Sequence, residues 1–181
     1  MANSNPTKVI TGKVRFSYVH VFEPATISED SSEKKYSVSI IISKKDKITL
    51  AKIEEAIKAA TQAGVAKWGG KLPKNLKTPL RDGDEEREEE CYENSFFLNA
   101  KSSNKPGIVD ANLDEIMSKE EFYSGCYGRA SVTFYPYDSN GSKGIACGLN
   151  NLQKLEDGER LGGSSASAAE DFADDDDDDL A

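Results

Sequence analysis

The chain has 181 residues and a mass of 19.7 kDa, with 37% apolar and 30% charged residues and a formal charge of −9. This is material for one core, and a length for one domain or one domain with an appendage. No apolar run approaches the roughly 18 residues of a membrane span, no secretory signal is visible at the N-terminus, and Cys91, Cys126 and Cys147 lack the spacing of a zinc site or a disulfide framework. The expectation is a cytoplasmic protein with no membrane attachment and no cofactor.

Residues 1–8 read as a short loose arm. Strand signals begin at Val9 and Ile10 and continue from Lys13 to Phe22, where alternation puts Val14, Phe16, Tyr18 and Phe22 on one face and Lys13, Arg15 and Ser17 opposite. His20 falls on the core side of that strand, as a structural histidine. Pro24 and the polar segment Ser28 to Glu33 form a turn. Lys35 to Ile42 is a second strand, with Tyr36, Val38, Ile40 and Ile42 on its apolar face, and the two strands pair as a long antiparallel hairpin.

The period then changes from two to about 3.6. From Asp46, an N-cap, to about Trp68, apolar residues recur at Leu50, Ile53, Ile57, Ala60 and Gly64, and Gly69-Gly70 ends the helix. A long connection without periodicity follows, as far as the strand Ser95 to Lys101. Ile108-Val109 forms a short strand, and Leu113 to Glu121 one or two helical turns. Cys126 to Tyr137 alternates for its whole length, Asp138 to Gly141 is a turn, and Gly144 to Leu149 returns as the last strand. This predicts a mainly β fold with one good helix, an oligonucleotide-binding (OB) type Greek-key β-barrel with long inter-strand loops. A two-sheet sandwich is the alternative. The folded domain spans 1–161, and residues 162–181 form a flexible Gly/Ser/Ala linker and a disordered acidic tail.

Charge is unevenly spread. Glu170 to Ala181 holds eight acids and no base, and without it the formal charge is −1. Asp82 to Glu93 has eight acids against Arg87, a net −7, and setting it aside leaves +6. Like charges at this density repel, so both blocks are expected as exposed loop or disordered chain around a basic body. An acidic total therefore does not exclude a nucleic-acid partner.

The strand Cys126 to Tyr137 turns Ala130, Val132 and Phe134 to the core and Tyr127, Arg129, Ser131, Thr133, Tyr135 and Tyr137 the other way. Rings interleaved with a guanidinium suit unpaired bases, because every base has a π-face to stack; the same tyrosines also serve as strand formers covering a sheet edge. Lys67, Lys71, Lys74, Lys77 and Arg81 add five positive charges around Trp68 and could track a phosphate backbone, or form a lysine-rich loop held against the acidic block. Trp68 reads as a core plug before a stacking platform. The consecutive carboxylates of the acidic block lack the convergence that a metal-dependent nuclease needs, and neither a nucleophile motif nor a phosphate-binding glycine loop is present. The candidate nucleic-acid residues are Arg15, Lys71, Lys74, Lys77, Arg81, Lys101, Tyr127, Arg129, Tyr135 and Tyr137. The acidic tip Asp174, Asp175, Asp176, Asp177, Asp178 and Asp179 is the candidate partner-binding segment. There are no candidate catalytic or metal-ligating residues.

Four segments also carry a resemblance: Thr78-Pro79-Leu80-Arg81-Asp82-Gly83-Asp84, Pro106-Gly107-Ile108-Val109-Asp110, Phe122 to Arg129 (FYSGCYGR) and Gly144 to Asn151 (GIACGLNN). They resemble a family of tailed-phage and prophage single-stranded DNA-binding proteins of the OB fold, formerly a domain of unknown function, over most of residues 8 to 163. The resemblance implies a non-catalytic accessory protein of phage DNA replication or recombination in the bacterial host cytoplasm. The expected partners are single-stranded DNA and, through the tail, replication or recombination proteins. The oligomeric state is left open, a homodimer included. The alternative function is an acidic protein-interaction or nucleic-acid-mimic inhibitor module.

Overall fold

The computed structural model describes residues 5–26, 33–74, 76–139 and 142–161. In chain order the elements are β1 (Lys8–Ile10), β2 (Val14–Thr26), β3 (Lys34–Ser43), α1 (Lys47–Gly64), β4 (Arg81–Asp82), α2 (Gly83–Glu86), a 3-10 turn (Glu90–Tyr92), β5 (Ser95–Ser102), β6 (Gly107–Val109), β7 (Tyr127–Ser139) and β8 (Ser142–Glu156).

The expected Greek-key barrel is corrected here. The strands make one mixed eight-stranded sheet in the order β1-β7-β2-β3-β5-β8-β6, with β4 on β5 and β7 also paired to β8. The expectation counted five or six strands, the short one at Ile108-Val109 included; the structure separates β1 from β2 and adds β4 from the long connection before β5. β6 runs parallel to β8, β5 meets β8 in parallel at Lys101↔Gly148, and β2 meets β7 only at Val14↔Gly128 and Arg15↔Tyr127. The sheet is dominated instead by the antiparallel pairs β2–β3, β3–β5 and β7–β8. The mainly β character with one substantial helix holds. The tail Asp174 to Asp179 lies outside the described residues.

The inward faces follow the alternation. Val38, Ile40 and Ile42 of β3, Leu98 and Ala100 of β5, and Ala130, Val132 and Phe134 of β7 are buried in one core. Helix α1 closes it with Leu50, Ile53, Ala56, Ala60 and Gly64. Asp46 caps α1, its carboxylate accepting from Thr49 N at 3.1 Å, a contact worth about 1 kcal/mol. Gly64 is where α1 presses on β7: a methyl there would come within 2.6 Å of Pro136 Cβ and 2.7 Å of the Trp68 ring. Trp68 is buried, and its Nε1–H donates to Tyr137 O at 2.9 Å. It is a core residue that pins β7 from the inside.

Three local expectations change. β2 does not keep one phase: its register to β3 shifts between Ser17 and His20, and Tyr18 sits at φ 47°. The bulge turns Tyr18 and His20 outward and brings Val21 into the core. His20 is thus not on the core side. Leu113 to Glu121 forms turns, not helix, bridged to β6 at Val109↔Glu115. The acidic block is ordered at its backbone, although its carboxylates are exposed. Tyr92 is fully buried and its hydroxyl donates to Ser39 Oγ at 3.0 Å, while the Arg87 guanidinium lies over the rings of Tyr92 and Phe97. One tyrosine and one arginine anchor the segment to the core, and Lys44 pairs with Asp82 and Asp84 at its start.

Candidate nucleic-acid interface

Outward positions of β3, β5, β7 and β8 share a surface because alternation is the same in each strand. β5 puts Asn99 and Lys101 outside while Leu98 and Ala100 go in, and Lys35 stands near the start of β3. β7 presents Thr133, Tyr135 and Tyr137, with Tyr135 45% exposed. Where β5 and β8 meet, these residues line an open groove of about 570 Å³.

Residues 77–81 form the other wall. This segment is held as a strap on β8: Ile145 N donates to Lys77 O at 2.8 Å and Lys77 N to Lys143 O at 3.2 Å. Gly144 makes the approach possible, since a Cβ there would meet Lys77 O at 2.6 Å and the Tyr137 hydroxyl at 2.7 Å. The strap then enters β4, where Arg81 pairs with Phe97 of β5. Among the described residues the groove lining holds four cations (Lys35, Lys77, Arg81 and Lys101) and two tyrosines but no carboxylate, although from outside the lining Glu86 pairs with Arg81 and Glu33 lies 3.8 Å from Lys35 Nζ.

A second groove, of about 550 Å³, lies at the other end of β7. Its lining mixes Lys13, Arg15, Tyr127 and Arg160 with Glu90 and Glu159. Arg15 is spent on structure there: its Nε donates to Gly125 O at 3.1 Å, its Nη2 to Glu159 O at 2.9 Å, and its guanidinium lies over Tyr127. Lys13 is paired with Glu156. The polyanion-compatible surface is therefore the β5–β8 groove. Repeated cations suit successive phosphates, and rings at the same spot suit the stacking of unpaired bases.

Of the ten candidate residues, the structure brings Lys77, Arg81, Lys101, Tyr135 and Tyr137 together in this groove. Tyr127 and Arg15 sit together in the second. Arg129 is exposed on the strand between, its Nε donating to Thr11 O at 2.9 Å. Lys71 and Lys74 are exposed and line neither groove. Lys35 and Asn99 were missed; the outward phase of the second and third strands was the signal that would have found them.

Little here suits bond-breaking chemistry. Among the described residues, no three His, Cys, Asp or Glu side chains are grouped to hold a metal ion. Burial pushes the thiols of Cys147 and Cys126 up, away from the reactive thiolate. No helix among the described residues is long and apolar enough to cross a membrane.

A family profile described as "Enterobacter phage Enc34, ssDNA-binding protein" matches residues 7–181. The chain belongs to this Enc34 family. Protein p50 of Acyrthosiphon pisum secondary endosymbiont phage 1 is 31% identical over 171 residues, covering 88% of this chain and 90% of that one. The single-stranded DNA-binding protein from bacteriophage Enc34, solved in complex with single-stranded DNA, matches with a TM-score of 0.75 at 23% identity, over 86% of this chain and 90% of that one. The single-stranded DNA-binding protein gp2.5 of bacteriophage T7 matches with a TM-score of 0.62 at 15% identity, over 92% and 93%. The likeness to the Enc34 and gp2.5 structures is one of fold.

Proposed function

We propose that this Enc34-family protein binds single-stranded DNA in a phage or prophage setting, without catalysis. Family membership supports the activity, and the groove between β5 and β8, lined by four cations and two tyrosines, is the observation that carries its location. Lys35, Lys77, Arg81 and Lys101 contact phosphates, while Tyr135 and Tyr137 offer ring faces to bases that are already unpaired. A surface of this kind reads little sequence, because stacking and phosphate contacts are available to every nucleotide.

The finer role is replication or recombination in the bacterial host cytoplasm. The acidic end Glu170 to Ala181 competes for the basic groove and engages a protein partner when displaced. That part rests on charge alone: a tethered polyanion is present at high effective concentration near its own groove.

Fluorescence anisotropy with a labelled oligothymidylate and a duplex of equal length, at two salt concentrations, tests the proposal. Single strands should bind far more tightly, with affinity falling as salt rises. Equal affinity for the duplex would remove the claim. Shortening of the oligonucleotide in Mg²⁺ would replace it with a nuclease, and absence of binding would favour an acidic mimic of nucleic acid.

A further inference from the structure

We infer that Glu86 stands in for a DNA phosphate on Arg81, so that the strand enters the groove by exchanging a carboxylate for a phosphate. This rests on the nucleic-acid reading of the β5–β8 groove and adds a built-in competitor to it. Arg81 lines that groove, and its Nη1 donates to Glu86 Oε1 at 2.7 Å. The neighbouring acids have other partners: Lys44 Nζ lies 2.8 Å from both Asp82 Oδ1 and Asp84 Oδ2, and Asp84 Oδ1 accepts from Asn94 N at 3.0 Å. Unlike these neighbours, Glu86 pairs with one of the four groove cations, and it does so at hydrogen-bond distance, whereas Glu33 stands 3.8 Å from Lys35 Nζ.

Both backbones are fixed, so the exchange is a matter of side-chain rotation. β4 is held to β5 at Arg81↔Phe97 and Asp82↔Phe96. α2 starts at Gly83, which is buried against the Tyr92 and Ser95 carbonyls, leaving no room for a side chain. The two partners are 51% and 40% exposed, so phosphate can reach the guanidinium. Carboxylate and phosphate use the same N–H donors of the fork, and one excludes the other. An exposed pair of this kind biases the competition by about 1.4- to fivefold. The contact therefore weakens stray single-anion binding at Arg81, while a strand gripped by the other cations displaces Glu86.

Glu86→Gln keeps the shape and removes the competing charge. Anisotropy titration of the full chain with an oligothymidylate should show Glu86→Gln binding about 1.4- to fivefold tighter at low salt. That gain should fade near 1 M salt, where the screening length is about 3 Å. Arg81→Ala should bind more weakly, and adding Glu86→Gln to it should give no gain. Unchanged or weaker binding by Glu86→Gln would overturn the inference. So would an equal gain in the Arg81→Ala background, which would mean that Glu86 merely repels DNA at a distance. If the wild-type chain does not bind the oligonucleotide, the groove reading fails first and the inference falls with it.

Discussion

Gly144→Ala is the substitution that best separates the strap from the rest of the fold. Gly144 is at an ordinary negative φ, so alanine is allowed by the backbone, and only space forbids it. Its methyl would lie 2.6 Å from Lys77 O, 2.7 Å from the Tyr137 hydroxyl and 2.9 Å from Lys77 Cβ. The backbone contact is the decisive one, because Lys77 O cannot rotate away while it accepts from Ile145 N. Relief requires the strap to lift, which loses the bonds Ile145 N to Lys77 O and Lys77 N to Lys143 O. At about 0.5–1.5 kcal/mol each, the loss is roughly 1–3 kcal/mol, or a melting temperature lower by about 2–12 °C. Lys77 then leaves the groove, and a lost charge-assisted contact lowers single-strand affinity on the order of tenfold. Gly148→Ala is the control: its methyl would meet Thr133 O at 3.3 Å and Tyr135 Cε1 at 3.4 Å, which small shifts absorb. Thermal melts and anisotropy titrations of both variants check this. Gly144→Ala with wild-type affinity, or Gly148→Ala with the larger fall in melting temperature, would refute the reasoning.

Tyr135→Ala should leave the melting temperature close to wild type, because the ring is 45% exposed, while removing a base stack worth about 1–3 kcal/mol of binding. Lower stability with unchanged affinity would mark it as a sheet-covering residue instead. Lys101→Ala should flatten the dependence of log affinity on log salt by about 0.7, the single-strand value for one phosphate, and an unchanged slope would take Lys101 out of the DNA path. Deleting Glu170 to Ala181 should raise affinity at low salt, since eight acids go with it; unchanged affinity would argue against competition by the tail.

Periodicity made much of the fold legible. The core faces of β3 and β7, the helix with its Asp46 cap and the buried role of Trp68 all follow from spacing and residue type. The β2 bulge did not, because nothing in Tyr18-Val19-His20 announces that the alternation skips there. The acidic segment was misread for a related reason: charge density speaks for the carboxylates, whereas Tyr92 and Arg87 decide whether the backbone folds. For the site, the outward face of β7 was readable as a row. Its division between two grooves was not, since that depends on which strands lie beside each end. Arg15 and Tyr127 end among Glu90 and Glu159, while Tyr135 and Tyr137 meet Lys101 from β5 and Lys77 from the strap. Such neighbours arrive through pairings between residues far apart in sequence, of which local pattern carries no trace.

The location of the DNA is tested most directly by photocross-linking. An oligothymidylate carrying 5-iodouracil is bound to the full chain and irradiated, and the attached peptides are mapped by mass spectrometry. The account predicts adducts at Tyr135 and Tyr137, and none at Tyr18, whose hydroxyl donates to Glu89 at 3.1 Å in a setting that repels phosphate. Adducts confined to Tyr127 or Tyr18, with none on the β5–β8 groove, would contradict it.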